Sequence, residues 1–219
     1  MNVKRGIGVR MQNLRPLLVG LAGGSCAGKT TLSEEVKKRL VPVPVEMIRF
    51  DSYYRDLSRL PMEKRHCQNF DCLEILEWEL LRDHLKDLHA GKAVRVPVYD
   101  YHTHNRSSRV REVSPALVIM VEGILLFAVP ALVELLDLKV FLDTEADVRL
   151  ARRIERDIRE RGRTVESVIA QYLSTVKPMH DRLVEPSKKA ADLVVYQGGL
   201  NPEAIEKVVG GIKRLRKNT

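Results

Sequence analysis

The sequence predicts an α/β protein built on a doubly wound, mostly parallel sheet. Three observations carry that prediction. Short apolar runs alternate with helix-length amphipathic stretches, the order produced by parallel strands joined through crossover helices. The first apolar run, Leu17 to Ala22, leads straight into Gly23-Gly24-Ser25-Cys26-Ala27-Gly28-Lys29-Thr30, a complete G-x-x-x-x-G-K-T phosphate loop, and then into a helix-like stretch. Two further β-rich runs end in carboxylates, Asp51 and Glu122, at strand tips where open α/β sheets bind ligands. Together these features predict a P-loop NTPase fold.

Leu17–Ala22 reads as a strand buried on both faces. In Thr31–Leu40, residues Leu32, Val36 and Leu40 recur at helical spacing. Val45–Phe50 is β-rich despite Pro42 and Pro44, and Asp51 follows at its carboxyl end. Ile75–His89 carries one apolar row, Leu76, Leu80, Leu81, Leu85 and Leu88, which marks a core-packed helix stopped by Gly91. Val94–Tyr101 and Arg109–Val113 predict a β-hairpin with a polar tip at His102–Ser108. Leu117–Val121 is a core strand ended by Glu122-Gly123. Val129–Leu136 reads as a short helix and Lys139–Leu142 as another strand. Thr144, with Asp147 three residues on, predicts a capping box for a long charged helix that reaches Arg161 and is stopped by Gly162. Val165–Val176 reads as a helix ended by Pro178, Leu193–Tyr196 as the last strand, and Pro202–Leu215 as the last helix. Residues 16–219 form one domain with two insertions: the hairpin at 94–113 and an arginine-rich lid at 144–185. Residues 1–15 are basic, lack a period, and read as a loosely held leader.

With 44% hydrophobic and 30% charged residues, the chain has an ordinary globular composition. Its net charge of +8 comes from clusters at Lys4–Arg15 and Lys207–Lys217 and from the arginines of the long helix. That grouping favours phosphate chemistry over nucleic acid. Three cysteines, Cys26, Cys67 and Cys72, and no signal peptide point to a reducing cytoplasm. His66, Cys67 and Cys72 lack a fourth ligand at zinc spacing. Cys26 reads as a small residue tolerated by the loop and open to oxidation. Ala116 to Leu136 is almost wholly apolar, but Glu122, Gly123 and Pro130 interrupt it. A buried strand followed by a turn and a packed helix has the same hydropathy, so no membrane span is expected.

The chemistry concentrates around the loop. Gly23 and Gly28 permit close backbone approach to an anion, Lys29 reaches the outer phosphates, and the Thr30 hydroxyl suits Mg²⁺. Asp51 and Glu122 are predicted to converge on the mouth of the loop, where phosphoryl transfer needs a metal and a carboxylate that orients or deprotonates the attacking hydroxyl. On the long helix, Arg149, Arg153 and Arg156 share a face. Glu145, Glu155 and Asp157 stand four residues before Arg149, Arg159 and Arg161, so a solvated, salt-bridged helix accounts for those pairs, Arg159 and Arg161 best. Arg153 and Arg156 have no acid four residues before them. They are the candidates for a mobile lid that clamps the transferring phosphate. Tyr99, Tyr101, His102 and His104 crowd the hairpin. Cross-strand packing accounts for alternating tyrosines; beside a nucleotide site, four such residues equally suit a pocket for a flat heterocycle.

From Leu17 to Gly210 the chain resembles the uridine kinase (uridine–cytidine kinase) family. The resemblance rests on the phosphate loop, Asp51-Ser52-Tyr53-Tyr54, Asn69-Phe70-Asp71, and Pro97-Val98-Tyr99-Asp100-Tyr101 with His104. It continues through Glu122-Gly123-Ile124-Leu125, the run from Arg152 to Arg163, and Glu185-Pro186-Ser187-Lys188-Lys189 with Ala191-Asp192. It implies transfer of phosphate from ATP or GTP to the 5′-hydroxyl of uridine or cytidine. It implies that Asp51 is the general base, with Lys29 and Arg156 at the phosphates, and that Glu122 and Thr30 help hold Mg²⁺. The nucleotide then lies on Gly23, Gly24, Ser25, Cys26, Ala27, Gly28, Lys29, Thr30 and Thr31. Asp71 and Arg153 grip the ribose, Tyr99 and His104 read the pyrimidine edge, Phe70 and Tyr101 flank the base, and Tyr54, Arg163 and Gln171 complete the nucleoside site. A tetramer is implied as well. After Asn-Phe-Asp the family continues His-Pro-Asp-Ala-Phe-Asp, whereas this chain has Cys72-Leu73-Glu74-Ile75-Leu76-Glu77. That departure bears on the identity of the acceptor. Two rivals remain: a related kinase for ribulose phosphate, pantothenate or another riboside, and a nucleotide-dependent nucleic-acid-binding ATPase.

Overall fold

A computed structural model describes residues 15–217. In chain order the elements are β1 (Leu17–Ala22), α1 (Lys29–Arg39), β2 (Val45–Arg49), α2 (Met62–His66), α3 (Trp78–His89), β3 (Val94–Asp100), β4 (Asn105–Val113), β5 (Val118–Glu122), α4 (Pro130–Val133), β6 (Leu138–Asp143), α5 (Ala146–Arg161), α6 (Val165–Gln171), α7 (Lys177–Met179), α8 (Glu185–Ser187), β7 (Leu193–Tyr196) and α9 (Pro202–Lys217). Five strands make one sheet in the order β2-β5-β1-β6-β7. Every pairing in it is parallel. β3 and β4 pair antiparallel as a separate ribbon. The predicted leader lies outside the described residues except for Arg15, which pairs with Asp137 at 3.0 Å.

The central strand explains the layering. Every residue of Leu17–Ala22 is buried. Because side chains alternate across a strand, Leu18 and Ala22 join the core beneath α3 and α4, while Leu17, Val19 and Leu21 join the core beneath α1 and α9. Gly20 leaves room on the first face, where a Cβ would meet Leu136 at 2.5 Å. The apolar stretch from 116 to 136 resolves into β5, a 3₁₀ turn and α4. Among the described residues no helix is long and apolar enough to cross a membrane.

Several boundaries differ from the sequence prediction, each for a physical reason. The helix expected from Ile75 begins at Trp78. Ile75 instead lies in a turn closed by Leu76 N donating to the Leu73 carbonyl, and Leu76 bridges Tyr54, so their burial imitates the helical row. The hairpin tip is shorter than His102–Ser108, because β4 begins at Asn105. Ser108 to Glu112 are exposed on both faces, which removes the alternation that marks a half-buried strand. No capping box forms on α5. The Thr144 hydroxyl donates instead to the Ala27 carbonyl at 3.1 Å, tying β6 to the phosphate loop, and Asp147 Oδ1 accepts from Val148 N. Pro178 does not end the lid helix. A π turn over Tyr172–Val176 precedes it and another precedes Pro186, and their wider hydrogen-bond spacing carries the helical path past each missing N–H.

Candidate active site

The phosphate loop links β1 to α1. Gly23 holds φ +142° and Gly28 φ +101°, conformations that L side chains rarely adopt. Both glycines are also required by close packing: a Cβ on Gly23 would lie 2.4 Å from the Leu142 carbonyl oxygen, and one on Gly28 would lie 2.7 Å from Gly199 N. Cys26 adopts a left-handed φ of 61° without being glycine. Lys29 folds over the loop and donates to the carbonyls of Gly23 and Gly24, each at 2.9 Å. Burial lowers its pKa, opposed by the nearby Glu122 and Asp51 carboxylates. Ser25, Cys26, Gly28, Lys29, Thr30 and Thr31 line an open cavity of about 770 Å³. Gly23, Gly24 and Ala27 do not line it. Gly24 lies against the Arg149 guanidinium, and Ala27 is buried.

Thr30 and Glu122 meet at the floor of this cavity, where Thr30 Oγ1 donates to Glu122 Oε1 at 2.8 Å. Arg49 Nε lies 3.3 Å from the same oxygen. Glu122 Oε2 is buried with no hydrogen-bond partner. Burial raises the pKa of Glu122, while the Thr30 hydrogen bond and Lys29 oppose the rise. A hydroxyl beside an unpartnered carboxylate oxygen is an all-oxygen donor set that suits a hard divalent cation.

Asp51 sits in the 3₁₀ turn Phe50–Tyr53 that closes β2. It lines the phosphate cavity and also a second cavity of about 520 Å³, and Ser25 and Arg156 line both as well. Tyr101 Oη donates to Asp51 Oδ2 at 3.3 Å. The second cavity is walled by rings. Tyr54 packs edge-on against Phe70 and Tyr99 at centroid distances of 5.1 and 5.0 Å, and Tyr99 packs against Tyr101 at 5.1 Å. Tyr54 is itself buried, its hydroxyl donating to the Phe70 carbonyl at 3.0 Å. The Tyr99 hydroxyl is buried and unpartnered. His104, at φ 47°, stacks between Phe70 at 5.8 Å and His66 at 4.5 Å. Burial, then His66 and the charges of Arg161 and Arg163, push its imidazole below the ordinary value. Asp71 lines the same cavity almost fully buried; burial raises its pKa and Arg153 opposes the rise.

The lid closes this cavity from the far side. Arg153 donates to Ser25 Oγ at 3.0 Å and to Gln171 Oε1 at 2.9 Å, and Arg163 also donates to Gln171 Oε1. Arg156, Arg161 and Arg163 line the cavity with them. The expected Glu155–Arg159 surface pair forms at 3.6 Å. The expected Glu145–Arg149 side-chain pair does not. Arg149 is buried, donates to the Thr144 carbonyl at 3.0 Å and lies 3.2 Å from His180 Nε2, so it braces the phosphate loop from behind. Arg161, expected as a solvated partner of Asp157, keeps that pair at 3.5 Å but is drawn inward over the Tyr101 ring at 4.7 Å. A further cavity of about 760 Å³, lined by Arg149, Arg152 and His180, contains none of the predicted site residues. Residues 72–77 line none of these cavities. Leu76 lies in the core, Cys72 Sγ rests 3.2 Å from the Asn69 carbonyl, and Glu77 pairs with Arg106 at 2.7 Å.

The sequence reading missed His66, Ile124, Arg161 and Asp157. His66, Ile124 and Arg161 line the ring-walled cavity. Asp157 carries a signal that could have found it: it is the acid that stands four residues from both Arg153 and Arg161.

A parallel sheet whose central strand feeds a phosphate loop, with acids at two neighbouring strand tips and an arginine lid, defines a P-loop kinase. The chain belongs to the Phosphoribulokinase / Uridine kinase family, whose model matches residues 18–202. It is 46% identical over 201 residues to a uridine kinase of Clostridium botulinum, covering 92% of this chain and 98% of that one. It is 46% identical over 199 residues to a uridine kinase of Ligilactobacillus salivarius, covering 91% and 93%. Phosphoribulokinase from Rhodobacter spheroides shares the fold at TM-score 0.63 and 18% identity, over 86% of this chain and 74% of that one. D-glycerate 3-kinase from Cryptococcus neoformans shares it at TM-score 0.62 and 16% identity, over 79% and 80%.

Proposed function

We propose that this kinase transfers the terminal phosphate of ATP or GTP to the 5′-hydroxyl of uridine or cytidine, giving UMP or CMP. One observation carries the reading: Asp51 stands at the neck shared by a phosphate cavity and a ring-walled cavity sized for a nucleoside. Asp51 takes the proton from the 5′-hydroxyl as that oxygen attacks the γ-phosphorus, and ADP or GDP leaves. Lys29 moves from the loop carbonyls onto the outer phosphate oxygens, and Arg156 meets the charge that develops during transfer. Ser25, Cys26, Thr31 and the backbone N–H groups of Gly28, Lys29 and Thr30 cradle the phosphates. Thr30 and Glu122 would hold Mg²⁺, which neutralises phosphate charge when bound. Asp71 and Arg153 take the ribose hydroxyls. The unpartnered Tyr99 hydroxyl and neutral His104 take the edge of the pyrimidine, with Phe70 and Tyr101 on its faces and Tyr54 behind them. Gln171 and Arg163 shut the site. The altered segment 72–77 contributes no residue to this cavity, which supports an unchanged acceptor class. We expect a cytoplasmic homo-oligomer, a tetramer by family resemblance.

A coupled ADP-release assay over a panel of nucleosides and sugar alcohols tests the reading. Uridine and cytidine should turn over at least about tenfold more efficiently than purine nucleosides, the gap expected when a buried polar pair reads the base. Preference for ribulose phosphate, pantothenate or another base-free alcohol would overturn it.

A further inference from the structure

The lid arginines that face the two cavities converge on one acid. Asp157 is completely buried, with four guanidinium groups within 4 Å of its carboxylate. Its two oxygens divide them. Oδ1 takes Arg156 at 2.7 Å and Arg161 at 3.5 Å, and both of these arginines line the phosphate cavity as well as the nucleoside cavity. Oδ2 takes Arg153 at 3.6 Å and Arg163 at 3.8 Å, which line the nucleoside cavity alone and share Gln171 Oε1. The Oδ1 side is closed by a hydrogen bond from Arg156 Nε at 2.9 Å. Oδ2 has no hydrogen bond. The backbone of Asp157 fixes the same turn, its carbonyl accepting from Gly162 N and from Arg163 N, the latter at 3.1 Å.

We propose that Asp157 is a positioning residue that couples the two substrate sites, one carboxylate oxygen serving each side of the lid. Four guanidiniums around one carboxylate repel each other unless it holds them, so its charge fixes where all four stand. A phosphate ligand that orders Arg156 and Arg161 around Oδ1 leaves less freedom to the shared carboxylate. Arg153 and Arg163 are then nearer their binding positions before the nucleoside arrives. By linkage the effect is reciprocal. The looser Oδ2 contacts are the ones that tighten.

This inference rests on the nucleoside-kinase reading, and its test keeps the two apart. Uridine is titrated with and without a saturating non-hydrolysable ATP analogue, and the analogue is titrated alone. In the unaltered enzyme the analogue should tighten uridine about fivefold, a typical coupling between sites. Asp157→Asn keeps the shape and the backbone carbonyl but removes the charge. The coupling factor should fall to about 1, and affinity for the analogue alone should weaken about tenfold, as expected for a lost charged partner. Asp157→Glu, which restores the charge one methylene away, should recover part of both. Coupling that persists in folded Asp157→Asn, or its absence from the unaltered enzyme, overturns the proposal. If Asp157→Asn does not fold, the same titrations on Asp157→Glu decide, and undiminished coupling there overturns it. If no pyrimidine nucleoside binds, the kinase reading fails on its own account. The analogue titration still judges Asp157, and an unchanged affinity would count against it.

Discussion

The phosphate cradle and the cavity proposed for the nucleoside share Ser25, Asp51, Tyr99, Tyr101, Arg156 and Arg161 among their walls and are built by opposite means. The cradle is one unbroken run between a strand and a helix, and backbone geometry does most of its work. Gly23 and Gly28 occupy conformations closed to other residues, with neighbouring backbone under 3 Å from any added Cβ. The nucleoside cavity draws Tyr54, Phe70, Tyr99, His104, Arg163 and Gln171 from separate segments and works through side chains. The difference teaches where each site is fragile. A cradle made of backbone should fail as a fold when one methyl group is added. A cavity made of side chains should lose selectivity, and keep its structure, when a whole ring is removed.

The largest effect should fall where the two regions meet. Asp51→Asn removes the proposed base and leaves both walls standing, so kcat should drop about 10³-fold while affinity for a non-hydrolysable ATP analogue stays within about twofold. Near-normal turnover would show that the neck residue is not the base, and would leave the two cavities without a chemical link.

The cradle half of the comparison is tested by Gly23→Ala. The new Cβ would meet the Leu142 carbonyl at a backbone conformation strained for alanine. Stability should fall by more than about 2 kcal/mol in a denaturant titration, with ATP binding lost in parallel. A variant of unchanged stability would mean that the loop can relax, and the contrast with the cavity would weaken. His104→Ala tests the other half. It should leave the unfolding midpoint nearly unchanged and shrink the preference for uridine over purine nucleosides about tenfold, close to the cost of one hydrogen bond to a buried polar group. An unaltered preference would remove His104 from base recognition.

The same contrast sets what was legible from residues alone. The loop, both strand-end acids and the strand that feeds the loop could be read directly, because their signal is contiguous and rests on backbone requirements that few residue types meet. The sheet could be read because β1 and β5 are buried on both faces and the one polar residue in them, Glu122, stands at the end of β5. The crowding of Tyr99, Tyr101, His102 and His104 left the ring-walled cavity half-legible, and Phe70, Arg163 and Gln171 joined it only through family resemblance, since no local rule brings Phe70 beside His104. Arg161 and Asp157 were misread as a surface pair because spacing records that they are neighbours and not whether water reaches them. The helix across Pro178 was misread because π turns have no sequence signature comparable to a glycine cap.

The smallest predicted effect is also the one that dissects the cavity most finely. The His104 imidazole is held below its ordinary pKa by burial, then by His66, Arg161 and Arg163, with Asp100 opposing. It is therefore neutral at pH 7 and takes a proton only below about 6.5, the ordinary histidine value. A proton there adds positive charge beside two arginines and alters the ring edge offered to the base, so the KM for uridine should rise about threefold as pH falls from 6.5 through the folded-state value while the KM for ATP stays flat. The sign for stability agrees. A histidine with a depressed folded-state pKa favours the native state above its unfolded value, and that contribution is lost as pH falls from 6.5 through the folded value. Burial raises the pKa of Asp71, with Arg153 opposing, so falling pH protonates it earlier than an ordinary aspartate and would weaken its proposed grip on the ribose. His104→Gln separates the two. It should abolish the part of the KM rise that belongs to the base, and whatever remains belongs to Asp71. A uridine KM in the unaltered enzyme that does not change as pH falls to the onset of acid unfolding would mean that neither buried group touches the nucleoside, and the cavity would have to be assigned to another ligand.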